Sequence, residues 1–255
     1  MTFLAHVTPV ILTFNEAPNI GRVLAPLAWA SEVIVVDSGS TDETRAICDT
    51  FANVRFVVRP FDSHAAQWNF AVHDTGVKTR WVLALDADYV LRPEGVAEMR
   101  ELPLDPADNG YWLSFDYAVD GQVLRSGVYP PVQALFRRDR QRYVQDGHTH
   151  RAVVEGPVGR LVVRAIHDDR KSLDRWLSSQ IAYARLEAAK ARPPGVKGWL
   201  RTQTPFSPLI VALHILIAKG GAFEGPAGWF YASQRTLAEA LIACARLDRR
   251  LRGNS

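Results

Sequence analysis

Two aspartates spaced two residues apart, Asp86 and Asp88, directly follow a run of five apolar residues, Trp81–Leu85. The run predicts a buried β-strand, so both carboxylates lie where that strand ends. Side chains two residues apart in an extended chain point to the same side. Two carboxylates at such a short distance repel each other unless a cation lies between them. A hard divalent cation would bind this pair of carboxylates and could also bind the phosphates of a nucleotide. An acidic turn after a strand gives the same sequence pattern.

Two more polar clusters follow apolar runs of the same kind. Residues 13–16 come after the run Val7–Leu12, and residues 37–42 come after Val33–Val36. The second cluster can be explained as a turn that caps a helix. Asp37 is the exception, because it ends a buried strand, where an unpaired carboxylate is costly. We therefore expect Asp37 to have a functional role.

The elements that must position these clusters alternate between strand and helix. Apolar runs predict strands at 7–12, 33–36, 54–58 and 81–85, and most are apolar at both odd and even positions, as a sheet covered on both faces requires. Between them, Pro18 suits the start of a helix to about Leu24. Ser40 with Glu43 has the pattern of a capping box for a helix to about Phe51, and Ser63 predicts a cap for a helix over 64–72. This order predicts an α/β fold with a doubly wound, mostly parallel sheet, whose ligands bind at the carboxyl ends of the strands.

Composition excludes several classes of protein. The chain has 255 residues, a formal net charge of +3 and 22% charged residues, which are ordinary globular values and do not indicate nucleic-acid binding. Neither G-x-G-x-x-G nor G-x-x-x-x-G-K follows the first strand, which argues against a dinucleotide dehydrogenase and a P-loop NTPase. Cys48 and Cys244 lack metal-site spacing, and no signal-peptide pattern precedes the first strand, so we expect a reduced, cytoplasmic protein.

Three motifs, Val10–Glu16, Val35–Asp42 and Leu83–Asp88, together resemble family 2 glycosyltransferases of the GT-A fold. The segments Arg59–Asp62 and Ala66–Ala71 narrow the resemblance to the branch of lipopolysaccharide-core, β-1,4-glucosyltransferase-like enzymes. The resemblance implies a nucleotide-sugar donor, usually a UDP-sugar, inversion at the anomeric carbon, and a divalent metal, Mg²⁺ or Mn²⁺. It also implies a saccharide or lipid-linked acceptor in lipopolysaccharide or cell-envelope polysaccharide synthesis.

The resemblance assigns roles to the polar residues by position. Asp88 would ligate the metal, and Asp86 would face the ribose or the metal. His167 matches a late histidine that can complete the metal site, although a strand-end histidine bonded to the backbone is an equal alternative, and Asp168 could orient its ring. The residues implied to bind the nucleotide-sugar are Thr13, Asn15, Glu16, Asp37, Gln67, Asn69 and Asp86.

The base that activates the acceptor is expected in the segment 144–150. Asp146 matches an acidic position of the family and is the first candidate for the catalytic base, with His148 second and Glu155 a weaker one. The chain departs from the family at Arg151, where glutamate is typical, and at Pro131, where aspartate is usual. A polar β-turn with solvated histidines would explain the same residues.

We expect a catalytic domain over 1–170, with a nucleotide-sugar half over about 1–100 and an acceptor half over about 101–170, followed by a helical region over 171–255. Ser172 predicts the cap of a helix to about Arg192, and we expect its apolar stripe to pack in the core; the stripe comprises Leu173, Trp176, Leu177, Ile181 and Ala184. The apolar stretch 206–218 is too short to span a bilayer, which takes ~20 residues. That stretch is either a core helix or an interfacial helix that binds the cytoplasmic face of the inner membrane, where arginines 246–252 favour anionic lipid. Two other functions stay open, a sugar nucleotidyltransferase and a non-catalytic module that binds nucleotide-sugars.

Overall fold

The computed structural model describes residues 2–146, 149–189 and 206–253. The chain divides into two compact units. Unit 1 comprises Met1–Ala118 and Tyr129–Arg170, and unit 2 comprises Val119–Val128 and Lys171–Ser255.

The strands of the described residues are numbered in chain order. They are β1 (Val7–Thr13), β2 (Val33–Asp37), β3 (Val54–Val58), β4 (Trp81–Asp86), β5 (Tyr89–Val90), β6 (Gly110–Leu113), β7 (Phe115–Val119), β8 (Gln122–Leu124), β9 (Val132–Arg137), β10 (Gln141–Asp146), β11 (Thr149–Val154), β12 (Val158–Arg160) and β13 (Ala165–His167). The α-helices are α1 (Ile20–Leu24), α2 (Thr44–Cys48), α3 (His64–Asn69), α4 (Pro93–Arg100), α5 (Leu173–Ala188), α6 (Ser207–Leu213) and α7 (Gly225–Leu251). The four strands predicted in the first hundred residues therefore form, each within one residue of its expected end.

Within the described ranges, seven strands of unit 1 form one sheet in the order β12-β6-β9-β4-β1-β2-β3. β1 pairs in parallel with β2 and β4, β2 with β3, and β12 with β6, whereas β9 is antiparallel to β4 and β6. Beside it, β13 pairs with β5 and β7, and β10 pairs with β11 as an antiparallel hairpin. The predicted fold class, an α/β protein with a mostly parallel sheet, is confirmed.

Both faces of the large sheet are covered. Ile11, Val35 and Leu83 lie in one buried cluster, whereas their chain neighbours Val10 and Ile34 lie in a second cluster on the other side. Apolar residues at successive positions therefore point into two cores, which is why the strand runs lack an alternating pattern.

The helix starts agree with the sequence in part. Ser63 caps α3, because its hydroxyl accepts a hydrogen bond from Ala66 N at 3.2 Å. The capping-box prediction for Ser40 and Glu43 is wrong, because α2 begins at Thr44 without a side-chain cap. Ser40 instead bonds to Asp37, so the loop rather than the helix determines its position.

Unit 2 consists mainly of α5, α6 and α7, with contacts of α7 to both other helices. Ser172 caps α5 as predicted, by accepting from Arg175 N at 3.4 Å. Leu173 and Ile181 on α5 are exposed, so an apolar stripe expected to pack in the core remains open there. Among the described residues, no helix is both long and apolar enough to cross a membrane.

Candidate active site

The carboxyl ends of three adjacent parallel strands bring the predicted polar residues together. In the sheet register, Thr13 at the end of β1 lies opposite Asp37 at the end of β2. Leu12, one residue earlier, lies opposite Asp86 at the end of β4. The three clusters recognised in the sequence therefore share one edge of the sheet, where ligands of such sheets bind.

Asp37 is almost fully buried, and its carboxylate is well supplied with donors. Oδ2 accepts from Thr13 Oγ1 at 2.9 Å and from Ser40 Oγ. Oδ1 accepts from the backbone N–H groups of Gly39, at 2.9 Å, and Ser40, at 2.7 Å. These bonds fold the loop after β2 around the carboxylate and keep a buried charge satisfied.

The loop after β1 is joined to the loop after β2. Asn15 has a positive φ of 54°, a conformation that asparagine tolerates better than most residues. Its N–H donates to Ser40 Oγ at 2.6 Å, and its Oδ1 accepts from Thr41 N at 2.7 Å. Glu16 N–H donates to Thr44 Oγ1 at 2.7 Å. The structure thus brings the predicted Thr13, Asn15, Glu16 and Asp37 into one cluster.

Asp88 and His167, the two predicted metal ligands, lie close together although 79 positions separate them. Asp88 Oδ2 is 3.5 Å from His167 Nε2, and both side chains are largely buried. The pairing of β5 with β13 places His167 opposite Tyr89, directly after Asp88. Ligand atoms lie ~2.0–2.3 Å from a bound divalent ion, so atoms 3.5 Å apart can share one ion.

A carboxylate oxygen and an imidazole nitrogen suit a divalent ion such as Mn²⁺ as donors. His167 Nδ1 is also buried and has no hydrogen-bond partner among the described residues. The two side chains therefore fit part of a metal site. No group of three or more His, Cys, Asp or Glu side chains suited to a metal occurs in the described part of the chain.

Tyrosines surround His167, and sequence reasoning gave them no role. The His167 ring stacks on Tyr129 at a centroid distance of 4.1 Å, and Tyr117 lies at 4.9 Å. The hydroxyls of Tyr89 and Tyr129 are 2.6 Å apart. Burial raises the pKa of both tyrosines, so their hydroxyls stay neutral beside the carboxylates. The three tyrosines lie on β5, on β7 and in the loop before β9, far apart in the sequence, so no local pattern could have grouped them.

Helix α3 carries Gln67 and Asn69 and connects the strand ends with the β10–β11 hairpin. Gln67 is buried, and its Nε2 donates to Ser38 Oγ at 3.2 Å. Asn69 donates to Tyr143 O at 2.9 Å and accepts from Tyr143 N at 2.8 Å, so it holds β10 against the helix. The predicted contacts of Gln67 and Asn69 with the donor remain predictions.

The first candidate base, Asp146, is the last residue of β10, whereas Glu155 lies at the other end of the hairpin, where its N–H donates to Arg140 O at 2.8 Å. The backbone of Asp146 pairs with Thr149 at the end of β10, and the neighbouring Gln145 accepts from Ala65 N of α3 at 3.1 Å. The side chain of Asp146 and the whole of His148 lie outside the described residues. Arg151, where the family typically has glutamate, pairs with Val144 within the hairpin.

A family model described as "Glycosyl transferase family 2" matches residues 8–160. Among curated proteins, the chain is 27% identical over 192 residues to a lipopolysaccharide core biosynthesis glycosyltransferase, LpsC, of Rhizobium meliloti, covering 70% of this chain and 68% of that protein. It is 39% identical over 89 residues to an uncharacterized glycosyltransferase of Rickettsia bellii, covering 34% of this chain and 29% of that protein.

Two solved structures show a weaker likeness. The chain matches TarS of S. aureus in complex with UDP at a TM-score of 0.47 and 11% identity, covering 97% of this chain and 91% of that one. It matches glucosyl-3-phosphoglycerate synthase of Mycobacterium tuberculosis, in complex with Mn²⁺, UDP and glucosyl-3-phosphoglycerate, at 0.47 and 15% identity, covering 72% of this chain and 78% of that one.

Proposed function

The chain belongs to glycosyl transferase family 2, and from this membership we infer that it transfers a sugar from a UDP-sugar to a saccharide acceptor, with inversion at the anomeric carbon. One observation carries the donor assignment. Thr13, Asp37 and Asp86 end three adjacent parallel strands, which places three polar residues along one edge of the sheet. The identity to a lipopolysaccharide-core glycosyltransferase supports a lipid-linked saccharide as the acceptor class.

We propose that Asp37 and Thr13 bind the base and ribose, together with Asn15 and Glu16. The Asp37 carboxylate already receives four hydrogen bonds from its own loop and Thr13, so its position is fixed before any ligand arrives. Such preorganisation lowers the entropy cost of binding. Gln67 and Asn69 are proposed to lie near the nucleotide or sugar.

Asp88 and His167 are proposed to hold a divalent metal, Mg²⁺ or Mn²⁺, with Asp86 beside them. Such an ion neutralises the charge that develops on the leaving diphosphate. The closeness of Asp88 and His167 supports this assignment. The stacking of Tyr129 on the ring and the contact of the tilted Tyr117 ring support one orientation of the imidazole.

Asp146 is proposed to take the proton from the attacking acceptor hydroxyl, with His148 as the second candidate. Its place at the end of β10 supports the proposal. Helix α3 bonds to this hairpin through Gln145 and Asn69, and the same helix bonds through Gln67 to Ser38, which directly follows Asp37. The hydroxyl would attack from the face of the sugar opposite the diphosphate.

Unit 2 is proposed to bind an anionic membrane surface, at the cytoplasmic face where lipid-linked acceptors are made. The side chains of Phe206, Leu209, Leu213 and Ile217 are all exposed at helical spacing, and we name them the 206–217 apolar face. Lys219 and Arg250 are exposed in the same unit. An apolar face with flanking cations is typical of helices that lie in the membrane interface.

A panel of nucleotide-sugars, incubated with the protein and Mg²⁺ or Mn²⁺, tests the proposed activity by the release of UDP. We expect release from a UDP-sugar that needs the metal and rises with a saccharide acceptor. Asp88→Ala should abolish the metal dependence of UDP binding in calorimetry, whereas the exposed Asp139→Ala should leave it unchanged. Equal UDP affinity of Asp88→Ala and wild type in the presence of Mn²⁺ would remove Asp88 from the metal site.

A further inference from the structure

A buried carboxylate, Asp168, directly follows the candidate metal ligand His167. Its side chain is only 2% exposed. Oδ2 accepts from Arg22 Nη1 at 2.8 Å and from Arg170 Nε at 2.9 Å. Arg22 comes from α1 and is 146 positions away in the chain, so this ion pair joins α1 to the residue that follows β13.

The backbone of Asp168 is held as firmly as its side chain. Its N–H donates to Asp88 O at 3.1 Å, and its carbonyl accepts from Arg22 Nη2 at 2.8 Å. Residue 168 therefore touches both candidate metal ligands, His167 through the peptide bond and Asp88 through a backbone hydrogen bond. A shift of Asp168 would move the two ligands relative to each other.

Asn19 extends this network to the nucleotide side. Its side chain is fully buried, and Nδ2 donates to Glu16 Oε2 and to Asp169 Oδ1, both at 2.9 Å. Its Oδ1 accepts from Arg22 Nη2 at 2.7 Å and from Arg170 N at 2.9 Å. A chain of hydrogen bonds thus runs from Glu16 through Asn19 and Arg22 to Asp168.

We propose that the Arg22–Asp168 ion pair, supported by Asn19, positions Asp88 and His167 for a divalent metal and thereby couples metal binding to nucleotide binding. This inference rests on the proposed function. Arg22, Asp168 and Asn19 are positioning residues, since they act through Asp88, His167 and Glu16.

The energetics favour a positioning role over a purely stabilising one. Burial of an ion pair costs desolvation energy, and a well-packed apolar replacement is often as stable. Burial also lowers the pKa of Arg22, an effect that the Asp168 carboxylate opposes. The pair does fix the position of Asp168 relative to α1. One guanidinium, that of Arg22, donates to the carboxylate and the carbonyl of Asp168 and to the side chain of Asn19. Partners that orient metal ligands are worth ~10–100-fold in metal affinity.

The test measures UDP affinity by calorimetry with and without Mn²⁺, for the full chain and its variants. Wild type should bind UDP more tightly with Mn²⁺. In Asp168→Asn this Mn²⁺-dependent gain should fall by ~10-fold or more, while UDP affinity without metal stays within ~2-fold.

Asp116→Asn is the matched control, because Asp116 also accepts from two arginines, Arg92 at 2.6 Å and Arg164 at 2.5 Å. It should keep the Mn²⁺-dependent gain. An equal loss in Asp116→Asn, or a full gain in Asp168→Asn, would overturn the inference. If wild type itself shows no gain with Mn²⁺, the proposed metal role fails, and the inference fails with it.

Arg22→Lys is the second test of the proposal, for use if Asp168→Asn does not fold. Lysine keeps the positive charge but lacks the planar fork of donors with which Arg22 reaches Asp168 Oδ2, Asp168 O and Asn19 Oδ1. The Mn²⁺-dependent gain should again fall by several-fold, with the melting temperature near that of wild type. A wild-type gain in folded Arg22→Lys would contradict the proposed role of the pair.

Discussion

His64, the first residue of α3, should make the free energy of unfolding depend on pH. Its imidazole is half-buried, and burial lowers its pKa, an effect that the Asp86 carboxylate opposes only in part. Unfolded histidine titrates near pH ~6.5. As the pH falls below that value, the unfolded chain takes up the proton before the folded one, so folding loses stability.

We therefore expect His64→Gln to lose less stability than wild type between pH 7.5 and 5.5, as measured by urea unfolding. The exposed His73→Gln is the control and should follow wild type. If the free energies of unfolding of wild type and His64→Gln change equally with pH, the burial of this imidazole does not contribute to the pH dependence of stability.

Asp146→Asn tests the base. The substitution keeps the shape of the side chain and removes its basicity, so turnover should fall by ~10²-fold or more while UDP affinity stays nearly unchanged. Steady-state kinetics with calorimetry of UDP measure both quantities. Turnover close to wild type would transfer the role to His148 or Glu155.

Sequence reasoning found the residues that end strands, because an acidic residue after an apolar run is visible locally. Asp37, Asp86 and Asp88 belong to this class; the structure places Asp37 and Asp86 along one edge of the sheet and Asp88 beside His167. Asn19 and Arg22 were missed, because their partners at 168–170 lie about 150 positions away and no local pattern marks a buried network.

At the scale of elements, two glycines set how closely α7 approaches the preceding turn. A Cβ on Gly228, in the first turn of α7, would overlap the carbonyl oxygen of Gly221 and lie 2.9 Å from Glu224 Cβ. Glu224 in turn accepts from Arg125 N and Ser126 N, which fixes the segment around β8. The close packing at Gly228 and the hydrogen bonds of Glu224 therefore hold the start of α7 against the preceding turn and the segment after β8.

Gly228→Ala should destabilise the protein by about 1–3 kcal/mol, the usual range for overpacking. Thermal unfolding followed by circular dichroism measures the effect. Gly95→Ala in α4 is the control, since its Cβ would meet only Val163 at 3.5 Å, and alanine favours a helix there. A Gly228→Ala variant as stable as Gly95→Ala would show that the turn can shift freely.

The helices show where local patterns mislead. Ser63 and Ser172 were read correctly as caps because each directly precedes its helix. Ser40 was not, since a tertiary hydrogen bond to Asp37 competes with the capping role. On α5, helical periodicity identified the apolar stripe but could not tell that Leu173 and Ile181 lie on the surface.

At the scale of the whole molecule, the sequence predicted the first four strands and a mostly parallel sheet, but not the order of the strands in that sheet. The antiparallel insertion of β9 between β4 and β6 had no sequence signal, because strand pairing at long range depends on topology rather than on composition. The same limit applies to the segment 119–128, which belongs to unit 2 although the chain around it belongs to unit 1.

We expect the full chain to sediment with vesicles of anionic phospholipid and to be released as salt rises, since each nearby Lys or Arg contributes ~1 kcal/mol that salt screens. Leu213→Asp with Ile217→Asp on the 206–217 apolar face should reduce binding strongly. Val162→Asp, at an exposed site in unit 1, should not. Equal sedimentation of both variants would exclude this face as the membrane contact.

The β10–β11 hairpin should open locally more often than the strands of the large sheet. Within the described part of the chain, its ladder joins no other strand, unlike that of β1, which has a neighbour on each side. Segments with fewer shared backbone bonds open at a lower free energy than core strands. Amide protons of residues 144–146 and 149–151 should therefore exchange with deuterium ahead of those in β1 and β4. Protection of both regions to the same degree would mean that the hairpin opens only when the whole of unit 1 unfolds.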